Sequence, residues 1–428
     1  TMISLKDCDA IGIDMDHTLC RYKLSEQIEL GHQALAQYLI KEKKYPHSLA
    51  DPVLDDPNLV YCGGLLFDEE NMTYVKMDEN GKVEKAAFGT KMLSESEISK
   101  MYPDNMKCSY FDDILSGKLS EKGSYHLHDN NFDLIRTVVH SRMMQTADSP
   151  TKKQVFDDLV AALAYIWDPK TSVIFENIKS NPEKYLHKCP NVVKSWLKAL
   201  KKKEKVVFLL TSSRCDFVKH VMDYCLGNDW QSYFDVVISK AKKPGFFNEQ
   251  LPFQLVDPNL VCVVDGKVSK LERNKWYSQG NSHLLHEHLK VWTGKESPKV
   301  VYFGDCVKSD IVPVKLHPNN PTSDWNAVYV MDALRGIEGA VNPLSEDEKR
   351  LLFSESFGPV LKSTDGAGMC KSFFCKLIEK YATIAVPSVE YVASRRIVYK
   401  YTRLGKGSGF YPDIPIIILH KSQVLVSC

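Results

Sequence analysis

The sequence predicts an α/β fold built on a parallel sheet, and three observations predict it. Five short runs are apolar almost throughout and close on polar residues or glycine: AIGID at 10–14, KVVFLL at 205–210, FDVVIS at 234–239, KVVYFG at 299–304 and NAVYV at 326–330. Continuous rather than alternating apolar character suits strands covered on both faces. Around the second run the apolar residues recur at helical spacing, with Val192, Val193, Trp196, Leu197 and Leu200 before it and Phe217, Val218, Val221, Met222 and Cys225 after it. Strands alternating with helices make an α/β sheet. The third observation is a long stretch of different texture, roughly 35–185, between the first and second runs. It reads as an inserted domain.

That insertion includes a hairpin, MTYVKMDENGKVEKAAF, whose turn residues are Glu79, Asn80 and Gly81. Helical stretches such as FDDLVAALAYIW at 156–167 follow. After about residue 335 come the charged SEDEKR, a helical SFFCKLIEKYATIA, and LGKGSGFYPDIP, which reads as loop. IPIIIL at 414–419 reads as an edge or core strand.

Composition narrows the function classes. The chain has 428 residues and 44% hydrophobic content, enough for a full core and for two domains. Lys plus Arg (55) nearly balances Asp plus Glu (54), which argues against a nucleic-acid polymer or an anionic membrane as partner. The 12 cysteines form no CxxC pair and no zinc-spaced cluster with histidine, so reduced thiols in the cytosol are expected. No signal peptide and no apolar run of membrane-spanning length is read, and a soluble, cytoplasmic protein is the expectation.

Asp14 and Asp16 pose the first chemical question. In a continuing strand they would share a face, where two like charges repel. Something must stabilise them: a bound cation, a shared proton, or a strand that ends between them and splays them apart. Open α/β sheets bind ligands beyond the carboxyl ends of their strands, so the residues closing each run are the candidates. The first run ends in DMDHT, the second in Thr211, Ser212 and Ser213; the third is followed by Lys242 and Lys243, and the fourth by Asp305 and Asp310. Carboxylates suit magnesium, and hydroxyls with an ammonium suit a phosphoryl group. TGKES and LGKGSG lack the spacing of an ATPase phosphate loop. His283 and His286 in HLLHEHL sit one helical turn apart but lack a third ligand, so they read as a polar helix face.

The ordered set DMDHTLCRY, LLTSS, FDVVISKAKKPGFF and VVYFGDCVKSDI resembles the haloacid dehalogenase superfamily of phosphotransferases. More narrowly it is similar to the cytosolic purine 5′-nucleotidase branch and its 5′-nucleotidase domain-containing proteins, to which WYSQGN, PKVVYFGD and YATIAVPS are also similar. The resemblance implies a doubly wound core of residues 1–34 and 186–340, a large inserted α+β cap at 35–185, and a C-terminal extension, 341–428, packing on the core. It implies a magnesium-dependent phosphomonoester hydrolase acting on a small phosphorylated substrate, a nucleoside monophosphate being one candidate, and dimers or tetramers. Asp14 would be the nucleophile and Asp16 the acid/base; Asp14, Asp16 through its backbone carbonyl, Asp305 and Asp310 would serve the metal. Thr211, Ser212 and Lys243 would hold the phosphate, with Lys242 the alternative lysine.

Two departures qualify the resemblance. The cap helix carries Val160, Ala164 and Trp167 where the purine enzymes imply arginine, aspartate and histidine, which puts purine recognition in doubt. His17 replaces a tyrosine. The alternatives are a phosphatase for a sugar phosphate or phosphoprotein, and a phosphate-binding scaffold with little turnover.

Overall fold

Ala10–Ile13 forms a strand, β1, whose side chains are all buried, because Ile11 and Ile13 meet cover on one face while Gly12 admits close neighbours on the other. The structure, a computed structural model, describes residues 2–56, 63–119, 124–146, 151–264, 266–316, 320–336, 341–365 and 368–402. Around β1 the other strands of the central sheet are Val206–Leu210 (β2), Val236–Ser239 (β3), Phe253–Asp257 (β4), Cys262–Val263 (β5), Lys275–Gln279 (β6), Val300–Gly304 (β7), Asn326–Val330 (β8) and Ile384–Val386 (β9). Their order is β5-β4-β6-β3-β2-β1-β7-β8-β9. From β6 to β9 every pairing is parallel, and only β4 and β5 run antiparallel at one edge.

All five apolar runs are strands of this sheet. Helices Asn191–Lys202 and Cys215–Leu226 flank β2 and bury Val193, Trp196, Leu197 and Leu200, and Phe217, Val218, Val221, Met222 and Cys225. Val192, at the start of its helix, is exposed. The sequence reading missed β4, β5 and β6, which form the edge or lie next to it. It also took SFFCKLIEKYATIA as wholly helical, whereas the helix stops at Tyr381 and β9 follows. The β-branched Thr383, Ile384 and Val386, ahead of Pro387, favour a strand there.

The chain divides into two compact units. Among the described residues the first takes those up to Lys23, Ile178–Asp332 and those from Glu379 to Thr402; the second takes Leu24–Asn177 and Ala333–Ile378. These bounds differ from those expected. One continuous helix, Leu24–Lys43, packs on Asn131–Met143 and Lys152–Trp167, so residues 24–34 go with the second unit. The expected extension is shared: 341–378 lie in the second unit, and β9 completes the central sheet of the first. IPIIIL and LGKGSGFYPDIP lie outside the described residues.

The second unit is α+β. Its antiparallel sheet runs in the order 91–92, 83–88, 73–77, 66–68, 125–127. The expected hairpin is present: Asp78 Oδ1 accepts from the Asn80 and Lys82 amides at 2.8 and 2.9 Å, and Gly81 takes φ 86° in the turn. Among the described residues no helix is long and apolar enough to cross a membrane.

Candidate functional site

The strand order reverses at β1: its successors β2 and β3 lie on one side, and β7 to β9 on the other. Such a switch point opens a crevice beyond the carboxyl ends of the strands. Register brings the sequence candidates to that edge, because Ile13 pairs with Phe303 and with Leu209, and Leu210 with Ile238. Asp14, Thr211 and Asp305 therefore leave neighbouring strand ends.

Lys243 ties the carboxylates together. Its Nζ lies 2.9 Å from Asp14 Oδ1 and 2.6 Å from Asp310 Oδ1, and its side chain is only 3% exposed. Lys242 is exposed and takes a left-handed φ of 54°. The geometry thus separates the two lysines. Burial alone would lower the Lys243 pKa, but Asp14 and Asp310 outweigh it and hold the group above the ordinary lysine range. It is an ammonium. Burial pushes Asp14 up to about 8, against the pull of Lys243 and with Asp310 and Asp16 adding to the rise. Burial, then Asp14 and Asp310, raise Asp305 well above the usual carboxylate range.

Tyr302 belongs to this cluster and was missed. Its hydroxyl lies 2.8 Å from Asp310 Oδ1, and Lys243 Nζ donates to it at 3.1 Å. A tyrosine inside an aliphatic strand was the available signal, since a buried phenol needs a partner. Gly304 is required by the same packing: a Cβ there would overlap the Asp310 side chain. Gly304→Ala is expected to cost about 1–3 kcal/mol by overpacking and to displace Asp310. Thermal denaturation checks it, and an unchanged midpoint would refute the fit.

Asp16 stands apart from the other carboxylates. Tyr22 donates to its Oδ1 and Ser213 Oγ to its Oδ2, both at 2.6 Å. Ser213 closes the second run and was a candidate there, but its pairing with Asp16 was not read from the sequence, and Tyr22 was missed. The strand ends at Ile13, ahead of both acids, and the backbone turns sharply after Asp16, with His17 at φ 54°. The His17 ring stacks on Tyr22 with centroids 4.7 Å apart.

Thr211 is fully buried, and its Oγ1 accepts from the Ser213 amide at 3.1 Å. A hydroxyl used in this way keeps its own proton to donate. Ser212 is exposed and its Oγ accepts from the Lys243 amide at 3.0 Å. His286 is not part of a polar face. It is buried, stacks on Trp325 and accepts from the indole Nε1 at 3.1 Å.

Among the described residues, Asp14, Asp305 and Asp310 form the one group of three His, Cys, Asp or Glu ligand atoms close enough to share a metal ion, within 4.8 Å of one another. Three carboxylates face one ammonium, and all the donors are hard oxygens. The set fits a small divalent cation such as magnesium. The Asp16 side chain is not in the group.

The comparisons with known proteins agree with this architecture. A model of the 5′ nucleotidase family matches residues 1–346. The chain is 35% identical to 5′-nucleotidase domain-containing protein 1 of Homo sapiens over 99% of both chains, and 35% identical to that of Bos taurus over 98% of both. It is 27% identical to 5′-nucleotidase domain-containing protein 2 of Homo sapiens over 83% of this chain and 64% of the relative. The chain belongs to the 5′ nucleotidase family.

Proposed function

We propose that the protein is a magnesium-dependent phosphomonoester hydrolase with a haloacid dehalogenase-like core, acting through an aspartyl-phosphate, with substrate choice assigned to the second unit. The observation that carries this is the buried Lys243 ammonium between Asp14 and Asp310 at the switch point of the sheet. Family membership supports it.

In the first step Asp14 attacks phosphorus, the bond to the leaving oxygen breaks, and Asp16 gives that oxygen a proton. In the second, Asp16 takes a proton from water as it attacks the phosphoaspartate, releasing inorganic phosphate and restoring Asp14. Lys243 offsets the charge of nucleophile and phosphate, while the Thr211 hydroxyl and Ser212 supply hydrogen bonds to the phosphoryl oxygens. Held by Asp14, Asp305 and Asp310, magnesium would add positive charge beside the phosphoryl group.

One observation favours a substrate other than a purine nucleotide. Val160 and Ala164 are exposed on the helix Lys152–Trp167, at positions where the resemblance implies arginine and aspartate. Neither side chain can bond a base. A panel of nucleoside monophosphates, sugar phosphates and an aryl phosphate, assayed for phosphate release with magnesium or EDTA, tests the function. Magnesium-dependent release supports it, and the ranking identifies the ester. No release from any ester by folded protein would sink the hydrolase and favour a phosphate-binding scaffold.

A further inference from the structure

We propose that Tyr22 and Ser213 are positioning residues that hold the Asp16 carboxylate in the orientation its proton transfers require. The inference rests on the hydrolase reading and adds two residues to it. Asp16 takes a hydrogen bond on each oxygen, from Tyr22 and from Ser213, both at 2.6 Å. A hydrogen bond on each oxygen fixes the plane of the group as well as its place. Asp16 precedes a left-handed turn and is half-buried.

Both donors are themselves anchored. Tyr22 is 4% exposed, its ring stacks on His17, and its backbone forms an antiparallel bridge with Leu186. The next residue, Lys23, donates its amide to Tyr185 O at 2.7 Å. Ser213 is fixed from both sides, its amide giving to Thr211 Oγ1 at 3.1 Å and its carbonyl accepting from the Lys240 amide at 2.7 Å. The clamp therefore links the loop after β1 to the loop after β2. The nucleophile is held by other contacts: the Asp14 amide donates to Phe303 O at 2.9 Å, and its Oδ1 accepts from the Met15 amide and faces Lys243. Loosening Asp16 should leave Asp14 in place.

That separation supplies a readout that general damage would not give. A nitrophenolate leaves without a proton, whereas an alkoxide needs one, so only the alkyl ester depends on a well-placed acid in the first step. The quantity to measure is kcat/KM, which reports the transfer to Asp14 and not the later hydrolysis. Tyr22→Phe keeps the ring and removes the hydroxyl; Ser213→Ala removes the other donor. For glycerol phosphate each is expected to lose roughly 10- to 100-fold, and for p-nitrophenyl phosphate less than about 3-fold, since a misplaced acid forfeits part of its contribution. Ser213→Thr should restore the wild-type ratio between the two esters. Equal losses on both esters, or none on either, would overturn the clamp and leave the hydrolase reading intact. Should Tyr22→Phe fail to fold, the two Ser213 variants decide alone. Wild-type protein that turns over neither of these esters nor any member of the wider panel would refute the hydrolase reading and this proposal with it.

Discussion

Asp14→Asn is expected to lower magnesium-dependent phosphate release roughly a thousand-fold or more, because an amide oxygen cannot form the phosphoaspartate. The same substitution should improve stability in EDTA at alkaline pH. Burial raises the Asp14 pKa to about 8 in the folded chain, above its ordinary value of 3.8. A folded state that holds a proton more tightly than the unfolded one loses stability as pH rises through the interval between the two values. Metal-free wild type should therefore melt at progressively lower temperature from about pH 4 to about pH 8. Asp305 is raised in the same direction and persists in the variant, so Asp14→Asn should flatten this slope without abolishing it. Scanning calorimetry over pH checks the stability and a phosphate assay the rate. A variant that keeps wild-type turnover would remove Asp14 from the chemistry.

The parts of this fold that were legible are those where burial on both faces leaves a sequence no choice. β1, β2, β3, β7 and β8 carry continuous apolar runs because their apolar residues are buried whichever face of the sheet they point to. Strands at the edge or next to it face fewer neighbours, and Phe253–Asp257, next to the edge, buries only Phe253 and Val256 fully. Its sequence, FQLVD, has no periodicity that separates it from a loop. β9 was hidden for another reason: at three residues it is too short for a pattern, and a helix directly precedes it.

The site divides along the same line. Asp14, Thr211, Lys243, Asp305 and Asp310 stand at strand ends or just beyond, where the sheet itself says that ligands bind. Tyr22 and Tyr302 donate to acceptors only 6 and 8 residues away, Asp16 and Asp310, but Ser213 lies 197 residues from its acceptor Asp16. No local spacing encodes such a pair. The choice between Lys242 and Lys243 was likewise a matter of backbone conformation, since consecutive lysines differ only in where the turn points them. The left-handed Lys240 and Lys242 direct Lys243 inward.

Lys243→Met tests the electrostatic logic of the whole site. Methionine fills most of the lysine stem volume but leaves Asp14 and Asp310 buried without their cation. Removing one partner of a buried ion pair costs about 3–5 kcal/mol, chiefly because the remaining charge is uncompensated. Lys243 is the influence that lowers the Asp14 pKa against burial, so the variant should drive Asp14 further toward its protonated form. The cost is then smaller at pH 5, where Asp14 keeps its proton with or without Lys243, and larger at about pH 10, above the Asp14 value of about 8, where only the variant must hold the proton at the expense of folding. Urea denaturation in EDTA at the two pH values measures the difference. Lys242→Met, an exposed change, should shift stability by no more than about 0.5 kcal/mol at either pH. Catalysis should fall on the order of 100-fold or more in Lys243→Met even with magnesium present, because the ammonium contacts the nucleophile itself. Equal destabilisation at pH 5 and at about pH 10 would mean that Lys243 contributes packing rather than charge. The pairing of Asp14 with Asp310 would then need a different source of compensation.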